Sequence, residues 1–264
     1  MNRRIRFESW STADRFEAGG HDGTAFDDSA LVLGSPRGIR EYDDPHRDGP
    51  AEAYEQAVWT SPEVSPGFPF TELVSSWNAR TPEGTWIEVA LCVTTTDGVT
   101  TPWYVMGRWA ETDNDIAPTS VPDQSDELAE VNVDRLTLSE AGAGSTYRIR
   151  VTLLRRVGSA ATPAVSFLGC VASDVRAGEF AASPERNGAA GIVIDVPQYS
   201  QRLHVGEYPQ WANGGESWCS PTSTSMVLAH WGLGPPQTDY AWVDTAAPDR
   251  FARVRRKVRS GPDF

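Results

Sequence analysis

Polar and apolar residues alternate along Tyr147-Arg148-Ile149-Arg150-Val151-Thr152-Leu153. Tyr147, Ile149, Val151 and Leu153 fall on one face, with Arg148, Arg150 and Thr152 on the other. A period of two is the signature of a half-buried β-strand. Val131, Val133 and Leu136 begin a similar run. Residues 85–95 and 103–109 also read as strands, and Thr96-Asp97-Gly98 between them carries a hairpin-type turn signal. Between residues 28 and 175 nothing long reads at helical period. About eight or nine short strands separated by turn residues predict a two-sheet antiparallel sandwich of the jelly-roll kind. Prolines 62, 66, 69 and 82 suit strand edges and loops.

The pattern changes past residue 176. Residues 177–191 are small, polar and aperiodic, as expected of an interdomain linker. The predicted division is therefore a sandwich over 1–176, a linker over 177–191 and a second unit over 192–264. That unit opens on a strand-like run at residues 192–196 and contains one clean helix starting near Cys219. Pro221 suits the first helical turn, where its missing N–H has no partner to lose. Gly232 suits the left-handed position just past the end. Met226, Val227 and Trp231, at helical spacing, are the predicted apolar face, which residues 192–264 are expected to cover poorly.

Composition narrows the class. The chain has 264 residues, ten tryptophans and 10% aromatics, enough for two folded domains. A net charge of −13 argues against duplex nucleic acid as a partner. Six cations (Arg250, Arg253, Arg255, Arg256, Lys257 and Arg259) are concentrated in a basic tail over 249–264. The three cysteines lack metal-ligand spacing and cannot all pair with one another. Cys92 and Cys170 lie in strand-like apolar runs and are expected to be buried small hydrophobes, a cross-strand disulfide being the minority alternative. No run approaches the roughly 18 apolar residues of a membrane span. The basic start at residues 1–8 has no apolar stretch behind it. As the sequence stands the expectation is a cytoplasmic protein, secreted if the true start lies upstream.

The chemistry centres on Cys219, which follows a glycine-rich approach and opens the helix. The positive end of a helix dipole stabilises negative charge on a thiol there. Asp195-Val196-Pro197-Gln198-Tyr199-Ser200-Gln201, then Trp218-Cys219-Ser220-Pro221-Thr222, and the ending Met226-Val227-Leu228-Ala229-His230-Trp231-Gly232 together resemble cysteine peptidase family 39. These are the bacteriocin-processing peptidases and their looser relatives in the papain superfamily. The resemblance implies a partial α+β papain-like domain behind the sandwich. It also implies a thiol-dependent hydrolase of peptide or protein substrates, with no cofactor and no metal. Residue by residue it makes Cys219 the nucleophile and Gln201 the donor to the oxyanion, with Gln198 the runner-up. The amino-terminal region looks like the companion domain found ahead of such peptidase domains in some bacterial proteins.

One departure from the family is plain. Its histidine base and the Asp or Asn that orients it lie downstream of the cysteine, yet here only His230 does, on the same helix. At 1.5 Å per residue, eleven residues put His230 about 16 Å from Cys219, against the roughly 3 Å that proton transfer needs. His204 could approach only through a geometry foreign to the family, and His21 and His46 belong to the sandwich. The sequence thus reads as a peptidase domain cut short after the nucleophile helix, inactive or impaired. The composition break after Gly234 resembles what a frameshift or premature stop leaves, with residues 239–244 the last stretch of the domain. The alternative reading is a non-catalytic binding protein. Its sandwich, rich in Trp59, Trp77, Trp86, Trp103, Trp109, Tyr104 and Tyr147, would recognise glycan or cell-wall polymer. Burial of most of these rings in the core is the simpler expectation.

Overall fold

The computed structural model describes residues 4–27, 29–46, 49–112, 114–140, 142–175, 193–207, 215 and 217–233. The chain divides into two compact units, Met1–Ala181 and Ala182–Phe264.

The first unit is a two-sheet sandwich. One sheet is ordered β10 (Ala129–Asn132), β11 (Arg135–Leu138), β7 (Glu72–Arg80), β13 (Ala164–Ser173), β4 (Ala30–Leu33) and β3 (Thr24–Asp27), with β1 (Ile5–Trp10) also pairing β13. The other is ordered β2 (Gly20–Asp22), β6 (Glu52–Thr60), β12 (Gly144–Arg156), β8 (Thr85–Thr95) and β9 (Tyr104–Trp109), with β5 (Gly38–Tyr42) also on β6. The ladders between these strands are antiparallel, so every strand returns beside a neighbour without a crossover helix. The only helix described in this unit is the short α1 (Ala13–Glu17), which buries Phe16 against Trp59.

Alternation in β12 does what its sequence predicts. Tyr147, Ile149, Val151 and Leu153 enter the main core together with Ile87, Val89, Leu91 and Val93 of β8. The hairpin between β8 and β9 also forms, and Gly98 supplies the left-handed turn residue (φ +87°). The outer face of β8 departs from simple alternation, because nearly every residue of this strand is buried. A second small core lies there, made of Tyr42, Tyr54, Trp86, Ala110, Ile116 and Leu154. Ala110 and Ile116 come from the segment after β9, which Asp44 anchors by accepting from the Ala117 N–H at 2.7 Å.

Two expectations are corrected. Val131, Val133 and Leu136 do not share one strand: β10 and β11 form a hairpin, and Val133 turns it at φ +63°, two-thirds exposed. A valine in the left-handed region is strained, which is why periodicity alone concealed the turn. Residues 193–196 are not a strand, and Val193 is 90% exposed. Val227 and Trp231 of the apolar helix face are exposed, in line with the poor cover expected for it. Cys92 and Cys170 are buried free thiols on different sheets, as expected of small hydrophobes. Burial pushes the Cys170 thiol up to about 12, although the Tyr147 hydroxyl beside it acts in the opposite direction.

Candidate active site

The second unit places Cys219 as the first residue of a twelve-residue helix, α2 (Cys219–His230), with its side chain exposed. Trp218, fully buried, is the N-cap and accepts the first helical hydrogen bond from Thr222 N–H at 3.0 Å. The amides of the first helical turn have no intrahelical acceptor, and Pro221 in that turn has no N–H to leave unpaired. The far end closes as its glycine predicts. Gly232 adopts φ +69°, Leu233 N–H donates to Leu228 at 2.8 Å, and Gly232 N–H donates to Ala229 at 3.1 Å. This pair of bonds is the Schellman arrangement, which only a left-handed residue permits.

The buried face of α2 is small and polar. Thr222 and Ser225 are buried in line with Trp218, whereas Val227 is 54% and Trp231 70% exposed. Ser225 tolerates burial because its hydroxyl donates back to the Pro221 carbonyl at 2.6 Å. Ser223 does the same to Cys219 O at 2.9 Å. The apolar face is thus left poorly covered, as expected, with Val227 and Trp231 outward.

Gln201 opens a 3₁₀ turn, Gln201–His204, and is half-buried. Ser200 caps that turn by accepting from Arg202 N–H. Gln198 lies in the irregular stretch before it and is exposed. The structure ties this stretch to the cysteine helix where His230 Nδ1 donates to the backbone oxygen of Asp195 at 2.8 Å. His230 thus holds the start of the glutamine segment from the end of α2 remote from Cys219. His21 and His46 lie in the other unit, and His21 is held there by Thr24 and the Phe16 carbonyl. Among the described residues no His/Cys/Asp/Glu group has a metal-binding arrangement. No described helix is long and apolar enough to cross a membrane. The linker, residues 239–244 and the basic tail lie outside the described residues.

Residues 6–173 match the family model described as the Peptidase C39 N-terminal domain. The chain belongs to this family. Residues 193–254 match a second model, the Peptidase_C39 like family, which covers Gln201, Cys219 and His230. A companion domain of the C39 group thus precedes a C39-like segment, in the order the motifs implied. No curated protein matches the chain. One similar solved structure comes from work titled as the structural basis for the promiscuous specificity of carbohydrate-binding modules from the β-sandwich superfamily. It is 9% identical with a TM-score of 0.24, and the match covers 63% of this chain and 56% of that one.

Sequence reasoning missed a charged cluster on the C39 N-terminal domain. Glu88 is buried on the outer face of β8, and its carboxylate accepts from Arg40 Nη1 and Nη2 and from Arg108 Nε, each at 2.9 Å. Burial by itself would raise the carboxyl pKa, but Arg40 and then Arg108 outweigh it and hold the group below the usual carboxylate range. Arg40 also lies over the Trp86 ring at 5.4 Å, and Arg108 over Tyr42 at 4.9 Å. The one available signal was a single acid inside the apolar run of β8.

Proposed function

We propose that the carboxy-terminal unit is the nucleophile-bearing part of a papain-like thiol hydrolase acting on peptide or isopeptide bonds. In this reading Cys219 is the nucleophile and Gln201 the oxyanion donor. The observation that carries it is Cys219 itself, an exposed thiol on the first residue of a well-capped helix inside the C39-like match. The sulfur would attack the acyl carbon, forming a C–S bond as the carbonyl π electrons move to oxygen. The Gln201 side-chain amide and the Cys219 backbone N–H would stabilise that oxygen, where charge develops only in the transition state. Collapse expels the amine, which must gain a proton, and water then cleaves the thioester.

The proton carrier is the weak point of the set. His230 sits about 16 Å along the helix from Cys219 and is bonded to Asp195. Were His230 the base, that distance would bar direct proton transfer, and disruption of a nucleophile–base unit costs about 10⁴- to 10⁶-fold in a serine protease. The unit boundaries belong to the same proposal: a sandwich over 1–176, a linker over 177–191 and a peptidase-like segment over 192–264.

Hydrolysis of a fluorogenic peptide amide by the full chain tests the reading. Slow turnover that Cys219→Ala abolishes and Gln201→Ala lowers by about 10²- to 10³-fold is the expected result. Turnover unchanged in Cys219→Ala would overturn it.

A second reading, in which the sandwich is a binding module for glycan or wall polymer and the peptidase segment is inert, draws on one observation. Trp103 is partly exposed at the rim of the outer sheet face, whereas Trp59 and Trp86 are fully buried.

A further inference from the structure

On the outer face of the β12 sheet three arginines share one carboxylate. Arg40, Arg108 and Arg150 gather around one carboxylate, Glu88, in a chain whose net charge is −13. Glu88 is fully committed to Arg40 and Arg108. Arg150 is left with no ion pair among the described residues, and its Nε is buried without a hydrogen-bond partner. A buried guanidinium N–H left unpaired is costly, and a structure that retains one has a donor to spare.

Local geometry holds this donor in place. The residues opposite Arg150 are Thr60 on β6 and Ala90 on β8, both too short to cover it. Its guanidinium instead rests over the Trp103 ring, 4.3 Å from the centroid. Both Arg150 and Trp103 remain partly exposed. Stacking fixes the plane of the guanidinium fork. Desolvation lowers the Arg150 pKa, the direction expected of a cation not yet compensated.

We propose that Arg150, braced on Trp103 beside the Arg40–Glu88–Arg108 cluster, is a binding site for the carboxylate of an acidic ligand. Glu88 shows which group this array accepts, since a carboxylate already pairs end-on with Arg40. Only one guanidinium is uncommitted, which suits a single negative charge better than a phosphate dianion. The site deepens the second reading, that the sandwich binds ligand, and is independent of turnover at Cys219.

The test is titration of the full chain followed through the Arg150 Nε–H resonance, assigned by its loss in Arg150→Lys. D-glucuronate, N-acetylglycine, D-glucose and inorganic phosphate are the probes, each at constant ionic strength. A saturable shift with glucuronate or N-acetylglycine is expected, and the tighter of the two tells whether the carboxylate comes from a sugar acid or a peptide end. By calorimetry the affinity should fall about tenfold or more in Arg150→Gln and be unchanged in Arg135→Gln on the other sheet. Trp103→Ala provides a second variant and should weaken binding while the sandwich stays folded by circular dichroism. No saturation by either carboxylate, tighter binding of phosphate, or wild-type affinity in Arg150→Gln would overturn the site. Saturation by glucose alone would overturn the carboxylate assignment while leaving the glycan-binding reading intact.

Discussion

Arg40 and Glu88 meet end-on, Nη1 on Oε1 and Nη2 on Oε2, both at 2.9 Å, although 48 residues separate them in the chain. Arg108 completes the arrangement from the neighbouring strand, also at 2.9 Å. The carboxylate is nearly out of water and both guanidiniums are mostly so, with side-chain exposures of 7%, 26% and 17% for Glu88, Arg40 and Arg108. Such a cluster is held as a unit, and removing its centre strands two cations.

Glu88→Gln is therefore expected to destabilise the sandwich by about 3 kcal/mol, the order seen when one partner of a buried pair is lost. Urea denaturation followed by tryptophan fluorescence measures this. A change below about 1 kcal/mol would mean that water reaches the cluster freely.

The same cluster sets a pH dependence. The Glu88 pKa is lower in the folded protein than in the unfolded chain, so its contribution is complete above the ordinary glutamate range, near 4.3. It fades as pH falls through the lowered folded value. The stability gap between wild type and Glu88→Gln should hold constant from pH 7 to 5 and shrink in more acid solution. A gap that grew on acidification would contradict the ion-pair account.

Gly144 of β12 lies against Phe70, whose ring sits edge-on to Tyr147 with centroids 5.9 Å apart. A Cβ at residue 144 would enter the Phe70 ring. Gly144→Ala is expected to cost about 2–3 kcal/mol through overpacking. Gly98→Ala has open space around its Cβ but keeps φ +87°, so strain alone should cost about 1 kcal/mol. Thermal unfolding of the two variants separates crowding from backbone strain, and equal losses would refute the distinction.

Iodoacetamide should label Cys219 first. Its side chain is exposed, whereas Cys92 and Cys170 are buried, the latter with its thiol pushed up to about 12 by burial. Mass spectrometry at neutral pH is expected to find a single modified cysteine in the native chain and three after denaturation. Native labelling of Cys170 would show that the sandwich opens.

His230 fastens Asp195 to the end of α2 through one hydrogen bond. His230→Ala should loosen residues 193–200 by about 1 kcal/mol, read as faster amide exchange there. Unchanged exchange would mean the contact holds nothing.

The sequence by itself determined the features that depend on near neighbours. Alternation over residues 147–153 placed the right side chains in the core, because the pleat sends successive residues to opposite faces. Pro221 and Gly232 marked the first turn and the stop of α2, because their backbone restrictions act within a turn. The candidate nucleophile was legible for the same reason, as a cysteine at a helix start in a short family-like motif. Tertiary structure decided the rest. Thr222 and Ser225 are the buried residues of α2, and the Ser225 hydroxyl is satisfied by its bond to the Pro221 carbonyl. Val133 turns a hairpin that its own propensity opposes, because β10 and β11 must pair. Arg40, Glu88 and Arg108 come together only when β5, β8 and β9 share one sheet. Which guanidinium stays uncommitted follows from which strands flank it, and no local pattern carries that information.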